Sequence, residues 1–351
     1  MDFFKTIIKD VKNPYASVAS EGIIAGDING YTGSGSYTLN ALLSGRTDLG
    51  FPNGKVTALA GDPGSGKTFI LVSTMKEFLD ANPEGAVFLF ETESAITKKM
   101  LEERGIDTER VYVFPVATVE EFKFQVVKIL DTYNEQPIKQ RKPLLIGLDS
   151  LGMLSTEKEM GDASDGKMTK DMTRAQLVKG VFRIITLKLG LADIPMIITN
   201  HTYDSMGLFS KKEMSGGSGP KYAASTIIFL SKRQDVKGSS VIVTAMVDKG
   251  RLTIEKSKAE IFIDFKAGLS KWHGVVDVAV EIKAITKTGH RFYMGEVMLA
   301  NGKTAMAKAC EDGILEKYPE VLKAVDEHLH GLYTYGEEID LPDDGDTDTD
   351  E

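Results

Sequence analysis

Cysteine is almost absent: one residue, Cys310, in 351. No intrachain disulfide can form, and a reducing, cytoplasmic location is the simple expectation. Long apolar runs are missing as well. None approaches the ~20 residues that a membrane-spanning helix needs, so no membrane partner is expected. The opening MDFFKTIIKDVKN lacks the basic start and apolar stretch of a secretion signal. No internal repeat is present. Basic charge is not in excess either, since the formal net charge is -9. That figure is local. Of 51 acids, nine fall in residues 337–351, which hold no Lys or Arg; the other 42 match the 42 bases. A neutral body can still gather basic residues on one face, so the acidic total does not exclude nucleic acid.

What is present is an ordinary globular composition, 42% hydrophobic and 26% charged, which excludes a chain disordered throughout. The length suggests roughly two domains. Phe4, Ile7, Ile8 and Val11 fall at helical spacing, and Asn13-Pro14 ends that helix. It packs either on its own core or on a neighbouring subunit. Residues 26–36 (GDINGYTGSGS) read as a linker. Beyond it, short apolar runs at 56–60, 86–90, 111–114, 144–148 and 196–199 alternate with helical stretches at 67–80, 94–104, 119–134 and 173–190. Such alternation implies a mostly parallel sheet with helices on both faces. Runs at 226–231, 241–247 and 260–265, with little helix between them, suggest an antiparallel extension. The expected domains are an N-terminal helix and linker (1–35), an α/β core (36–274), a small C-terminal α/β domain (275–336) and a disordered acidic tail (337–351).

Gly61-Asp62-Pro63-Gly64-Ser65-Gly66-Lys67-Thr68 matches GxxxxGK[ST]. A strand candidate runs in and a helix candidate runs out, as this phosphate-binding loop requires. The glycines let the backbone approach closely, so that successive N–H groups and the helix N-terminus face phosphate oxygens. Lys67 would reach the β- and γ-phosphates of a nucleotide, and the Thr68 hydroxyl would hold Mg²⁺. Asp149 ends a strand candidate, at the sheet edge where ligands bind, and suits the same Mg²⁺. Ser150, not an acid, follows it. A residue that orients the attacking water is therefore expected at the end of the neighbouring strand, where Glu91 and Glu93 compete. Residues alternate in an extended segment, so periodicity does not choose between them.

Several segments together resemble the RecA-type recombinases, and among them the UvsX branch of large tailed phages. They are residues 90–97 (FETESAIT), 149–154 (DSLGML), 171–186 (DMTRAQLVKGVFRIIT), 194–203 (IPMIITNHTY), 214–222 (MSGGSGPKY) and 255–264 (EKSKAEIFID). The resemblance covers roughly residues 40–300, with the motifs in family order. It implies a RecA-like P-loop ATPase core and an ATP-dependent DNA strand-exchange protein, a helical filament on single-stranded DNA with ATP at subunit interfaces. It assigns the catalytic glutamate to Glu93. It makes Asn200-His201 the γ-phosphate sensor, with the histidine of the phage branch where most cellular relatives carry glutamine. Lys249 and Arg251 fall where two cations reach a neighbour's ATP. Met100 occupies the position of an adenine-stacking aromatic.

The long polar segments 155–171 and 202–221 match the family's two DNA loops. The amides of Gly216 and Gly217, with Lys211, Lys212 and Lys221, can meet phosphates, and Met206, Leu208 and Phe209 can wedge between bases. Such contacts serve single- and double-stranded DNA without regard to sequence. Arg174 and Lys170 are phosphate contacts or members of structural ion pairs. The expected partners are DNA, further copies of the chain, a mediator and a single-strand-binding protein. A basic site at Lys283, Lys287, His290 and Arg291 competes with a plain solvated face. Two other functions stay open: a ring-forming RecA-fold motor, and a non-catalytic ATP-dependent DNA-binding module.

Overall fold

The structure, a computed structural model, describes residues 3–167, 173–204, 212–236 and 238–335. Its centre is a ten-stranded sheet. Six strands are parallel, in the spatial order Thr226–Val236, Val56–Gly61, Met196–Asp204, Leu144–Asp149, Ala86–Glu91 and Val111–Pro115. The strand Val56–Gly61 is buried along its whole length, which accounts for its unbroken apolar run. Its residues alternate all the same. Leu59 packs into one core cluster, while Val56, Ala58 and Ala60 pack into the other.

The helix Lys67–Ala81 covers the first face, and Val119–Glu135 with Arg174–Ala192 cover the second. Val178, Phe182, Ile185 and Leu189, at helical spacing, are buried there. Thr118 caps Val119–Glu135, and Thr97 caps the shorter helix Lys98–Glu103. The antiparallel extension begins one strand later than expected. The strand Thr226–Val236 runs parallel to Val56–Gly61, and only Ser240–Gly250, Lys258–Asp264 and Gly268–Leu269 continue the sheet antiparallel.

Three segments depart from their sequence reading. In residues 26–36, read as a linker, Ser34 and Ser36 are buried; Ser36 caps the helix Tyr37–Ser44, and Ser34 Oγ donates to Asn40 Oδ1 at 2.7 Å. The first long loop contains the helix Glu157–Ser164, started by a capping box between Thr156 and Glu159. The second is in part a hairpin, since Met196–Asp204 runs past the sheet edge and Lys212–Met214 returns beside it.

Beyond residue 274 the described chain forms a three-stranded sheet and three further α-helices, Val275–Glu281, Lys303–Glu311 and Pro319–Tyr333. Phe292, Met306, Leu315, Val325 and Leu329 join the first core cluster, so no break in packing separates this region from the sheet. Asp326 ties it down by accepting from the Thr47 backbone N–H at 2.6 Å. The N-terminal helix Phe3–Val11 buries no residue and leaves Phe3, Phe4 and Val11 exposed. Among the described residues, no helix is long and apolar enough to cross a membrane.

Candidate functional site

Strand register brings the candidate residues to one edge of the sheet. Gly61 lies opposite His201, Ala60 opposite Asn200, and Glu91 opposite Asp149. All stand at carboxyl ends of parallel strands, the edge at which open α/β sheets bind ligands.

The phosphate loop turns between Gly61 and Lys67. Gly64 and Gly66 have φ of 73° and 91°, in the left-handed region that costs other residues most. A Cβ on Gly66 would also lie 2.3 Å from Ile263 Cδ1. Lys67 is buried, and its Nζ donates to the carbonyls of Gly61 at 2.8 Å and Asp62 at 3.0 Å. Burial pulls the Lys67 pKa down, against the pull of Glu93, Asp149 and Asp62. Ser65 Oγ is buried and makes no hydrogen bond among the described residues. A loop with a buried ammonium and an unpartnered hydroxyl has the donors that a triphosphate requires.

Asp149 is 1% exposed. Its Oδ2 accepts from Thr68 Oγ1 at 2.7 Å, and its Oδ1 accepts from the Thr199 hydroxyl. Burial raises the Asp149 pKa, opposed by these two hydroxyls. A carboxylate and a hydroxyl, both oxygen donors, suit Mg²⁺. The sequence reading did not single out Thr199. Its signal was register: it lies one residue beyond Ile198, which pairs with Leu148 beside Asp149.

The two competing glutamates have different surroundings. The Glu91 carboxylate accepts from the backbone N–H groups of Ser94 and Ala95, both at 2.8 Å, and so is committed to its own turn. Glu93 faces the site instead. Its Oε1 accepts from Ser150 Oγ at 2.5 Å and lies 3.1 Å from His201 Nε2. The Asp149–Ser150 peptide is cis.

From His201 the connections run into the second long segment. Asn200 Nδ2 donates to the Ser215 carbonyl at 2.8 Å, and its Oδ1 accepts from Ser215 Oγ at 2.6 Å. The Ser215 N–H donates to the His201 carbonyl at 3.1 Å. Gly216 and Gly217 follow directly, with φ of 90° and 72°. Lys221 is exposed on the short helix Ser218–Ala223. Lys212 pairs with Asp62 of the phosphate loop.

Arg174 sits inside the structure's own hydrogen bonding. Its guanidinium donates to the carbonyls of Leu154 at 2.7 Å, Leu151 at 3.0 Å and Gly152 at 3.1 Å. It braces the turn after the Asp149 strand through Nε and Nη2, and these contacts are not an ion pair. Met100 is half-buried in the helix Lys98–Glu103. Arg104 spans from the Met100 carbonyl at 3.0 Å to the Phe265 carbonyl at 2.9 Å, across the Phe69 ring. Lys170, Met206, Leu208, Phe209 and Lys211 lie outside the described residues.

Lys249 and Arg251 are not at this edge. Lys249 pairs with Ile227 and Gly250 with Thr226, while Thr226 pairs with Thr57 near the start of the phosphate-loop strand. The loop is four residues further on, roughly 13 Å along the strand. Lys249 Nζ donates to the carbonyls of Lys221 at 2.9 Å, Tyr222 at 3.2 Å and Ala224 at 2.7 Å, at the C-terminal end of the helix Ser218–Ala223. Arg251 is exposed.

A family model of the RecA N-terminal domain matches residues 23–270. The chain is 33% identical over 265 residues to the recombination and repair protein of Enterobacteria phage T4, covering 74% of this chain and 66% of that protein. It thus spans just under two thirds of the phage protein's length. It is 26% identical over 289 residues to Protein RecA of Malacoplasma penetrans, covering 79% of this chain and 82% of that one. It is also 25% identical over 292 residues to Protein RecA of Aquifex aeolicus, covering 80% and 78%.

Proposed function

The chain belongs to the RecA family, which implies ATP binding, and from that premise we propose that it is an ATP-dependent DNA recombinase. It coats single-stranded DNA as a helical filament and exchanges strands by homologous pairing, in phage recombination, repair and recombination-dependent replication. One observation carries the reading: the strand-end cluster at the phosphate loop is hydrogen-bonded through Asn200 and Ser215 to a glycine-rich segment suited to DNA phosphates.

ATP is the substrate. The loop from Gly61 to Thr68 binds its phosphates, with Lys67 as the central cation. Thr68 and Asp149 would hold Mg²⁺, which supplies neutralising charge at the phosphate oxygens. Glu93 orients the attacking water and takes its proton. His201, beside Glu93, sits where loss of the γ-phosphate is felt, and Asn200 passes that change to Ser215 and Gly216. Lys249 and Arg251 are too far from their own phosphate loop to serve it, which supports a role on a neighbouring copy's ATP. ATP then bridges copies, DNA orders the two loops, and hydrolysis weakens both contacts. Each step is a shift between states with different contacts. A mediator, a single-strand-binding protein and an intracellular location accord with this role.

The test combines ATP turnover with imaging. Turnover that rises on adding single-stranded DNA, with continuous filaments on that DNA in a non-hydrolysable ATP analogue, is the expected result. Closed rings would favour a RecA-fold motor. DNA binding without turnover would favour a binding module.

A further inference from the structure

The second position of the phosphate loop carries an acid, Asp62, which repels the phosphates the loop would bind. Its surroundings are specific. Asp62 Oδ1 accepts from Thr202 Oγ1 at 2.8 Å, and its other oxygen pairs with Lys212 Nζ. Thr202 and Lys212 stand on the two arms of the same hairpin, Thr202 opposite Met214 and Lys212 opposite Asp204. Both contacts therefore join the phosphate loop to the second DNA loop. The pair closes a separation of 150 residues in sequence. Asp62 also lies within the field of Lys67, whose Nζ is bonded to the Asp62 carbonyl.

We propose that Asp62 holds Lys212 in reserve, so that the phosphate loop and a DNA phosphate compete for one lysine. The proposal rests on the DNA-binding reading above and adds a control to it. The Lys212 and Asp62 side chains are 45% and 54% exposed, so the pair is weak, screened by salt and open to exchange. A DNA phosphate offers Lys212 an alternative anion of comparable or greater pull. When DNA takes the lysine, Asp62 is left uncompensated beside Lys67 and the nucleotide's phosphates. Negative charge at the mouth of the loop then favours release of the anionic product. When DNA is absent, the lysine returns and the hairpin is tied down. Thr202 keeps Asp62 turned towards the hairpin in either condition, and so acts as a positioning residue.

The experiment is a double-mutant cycle on the full chain without nucleotide. Binding of fluorescently labelled oligo(dT) is followed by anisotropy over a range of salt for wild type, Asp62→Asn, Lys212→Gln and the double variant. Asp62→Asn is expected to tighten binding roughly two- to fivefold, the range of an exposed ion pair. It should also steepen the slope of log K against log salt, by at most about 0.7, because the Lys212 contact then forms without competition from Asp62. In the Lys212→Gln background both gains should vanish. An equal gain in both backgrounds, or no gain in either, overturns the proposal while DNA binding itself stands. Failure of the wild-type chain to bind the oligonucleotide overturns the DNA-binding reading, and the proposal falls with it. Thermal melts of all four proteins check the fold, and the exposed pair predicts closely similar midpoints.

Discussion

Asp149 is held where its charge is disfavoured. Burial raises its pKa above 3.8, and the hydroxyls of Thr199 and Thr68 offset only part of that. Between 3.8 and the raised value, the folded chain binds more protons than the unfolded one. Stability contributed by Asp149 is therefore full below that window and is lost as pH rises through it. Asp149→Asn removes the titration. In metal-free, nucleotide-free protein, its melting temperature should exceed the wild type's, by a margin that grows across the window and then levels off. The same variant should lose Mg²⁺-dependent nucleotide hydrolysis. A margin that shrank with rising pH would mean that the hydroxyls outweigh burial. Glu93 makes a sharper test of chemistry. Glu93→Gln keeps its size and a carbonyl oxygen that can accept from Ser150, but it cannot take a proton. Turnover should fall by about 10²–10⁴, the range for a general base, with binding of a fluorescent ATP analogue retained. Glu91→Gln should act differently, because Glu91 serves the Ser94 and Ala95 amides. Its loss should appear first in the melting temperature.

At the scale of elements, glycines and strand ends carry the design. Gly217 has φ 72°, and a Cβ there would lie 3.0 Å from Ala175 Cβ. Gly217→Asp adds strain of about 1–3 kcal/mol and a negative charge to a segment suited to phosphates. Single-stranded DNA binding should be lost while ATP-analogue binding persists; normal DNA binding would exclude this segment from the interface. Much of this was legible in the sequence, for a physical reason. The phosphate loop is contiguous, and its conformational demands fall on adjacent residues. Asp149 ends an apolar run, so strand-end logic located it, whereas His201 was assigned by the resemblance. The choice between Glu91 and Glu93 was not legible from periodicity, because it turns on which carboxylate the local amides claim. The backbone contacts of Arg174 were hidden for a similar reason: the carbonyls it serves, those of Leu151, Gly152 and Leu154, lie at least 20 residues away. The buried serines 34 and 36 looked like linker residues because their composition is that of a turn. Their partners, Asn40 and the start of the next helix, absorb the polarity. The pairing of Asp62 with Lys212 depends on a hairpin that no local pattern announced.

The whole molecule raises the question of what Lys249 and Arg251 are for. Lys249 holds the end of the helix Ser218–Ala223, and Arg251 is exposed at the edge opposite the phosphate loop. One chain cannot bring either to its own nucleotide, so the proposed role requires a head-to-tail contact between copies. Such contacts are heterologous: each copy offers its loop to one neighbour and its cations to the other. That asymmetry allows a test by mixing. Lys67→Ala spoils the loop but leaves the cations intact. Arg251→Ala does the reverse, and it leaves the intramolecular bonds of Lys249 in place. Each variant alone should lose DNA-stimulated turnover. Mixed in equal amounts before DNA is added, roughly one interface in four joins an intact loop to an intact arginine. Turnover should return to about a quarter of the wild-type value if each interface fires independently. The result separates two explanations that single variants leave confounded. If Arg251 acted only by supporting its own chain, every intact loop would still sit in a damaged protein, and mixing would restore nothing. Recovery therefore requires that the cation and the loop it serves belong to different copies.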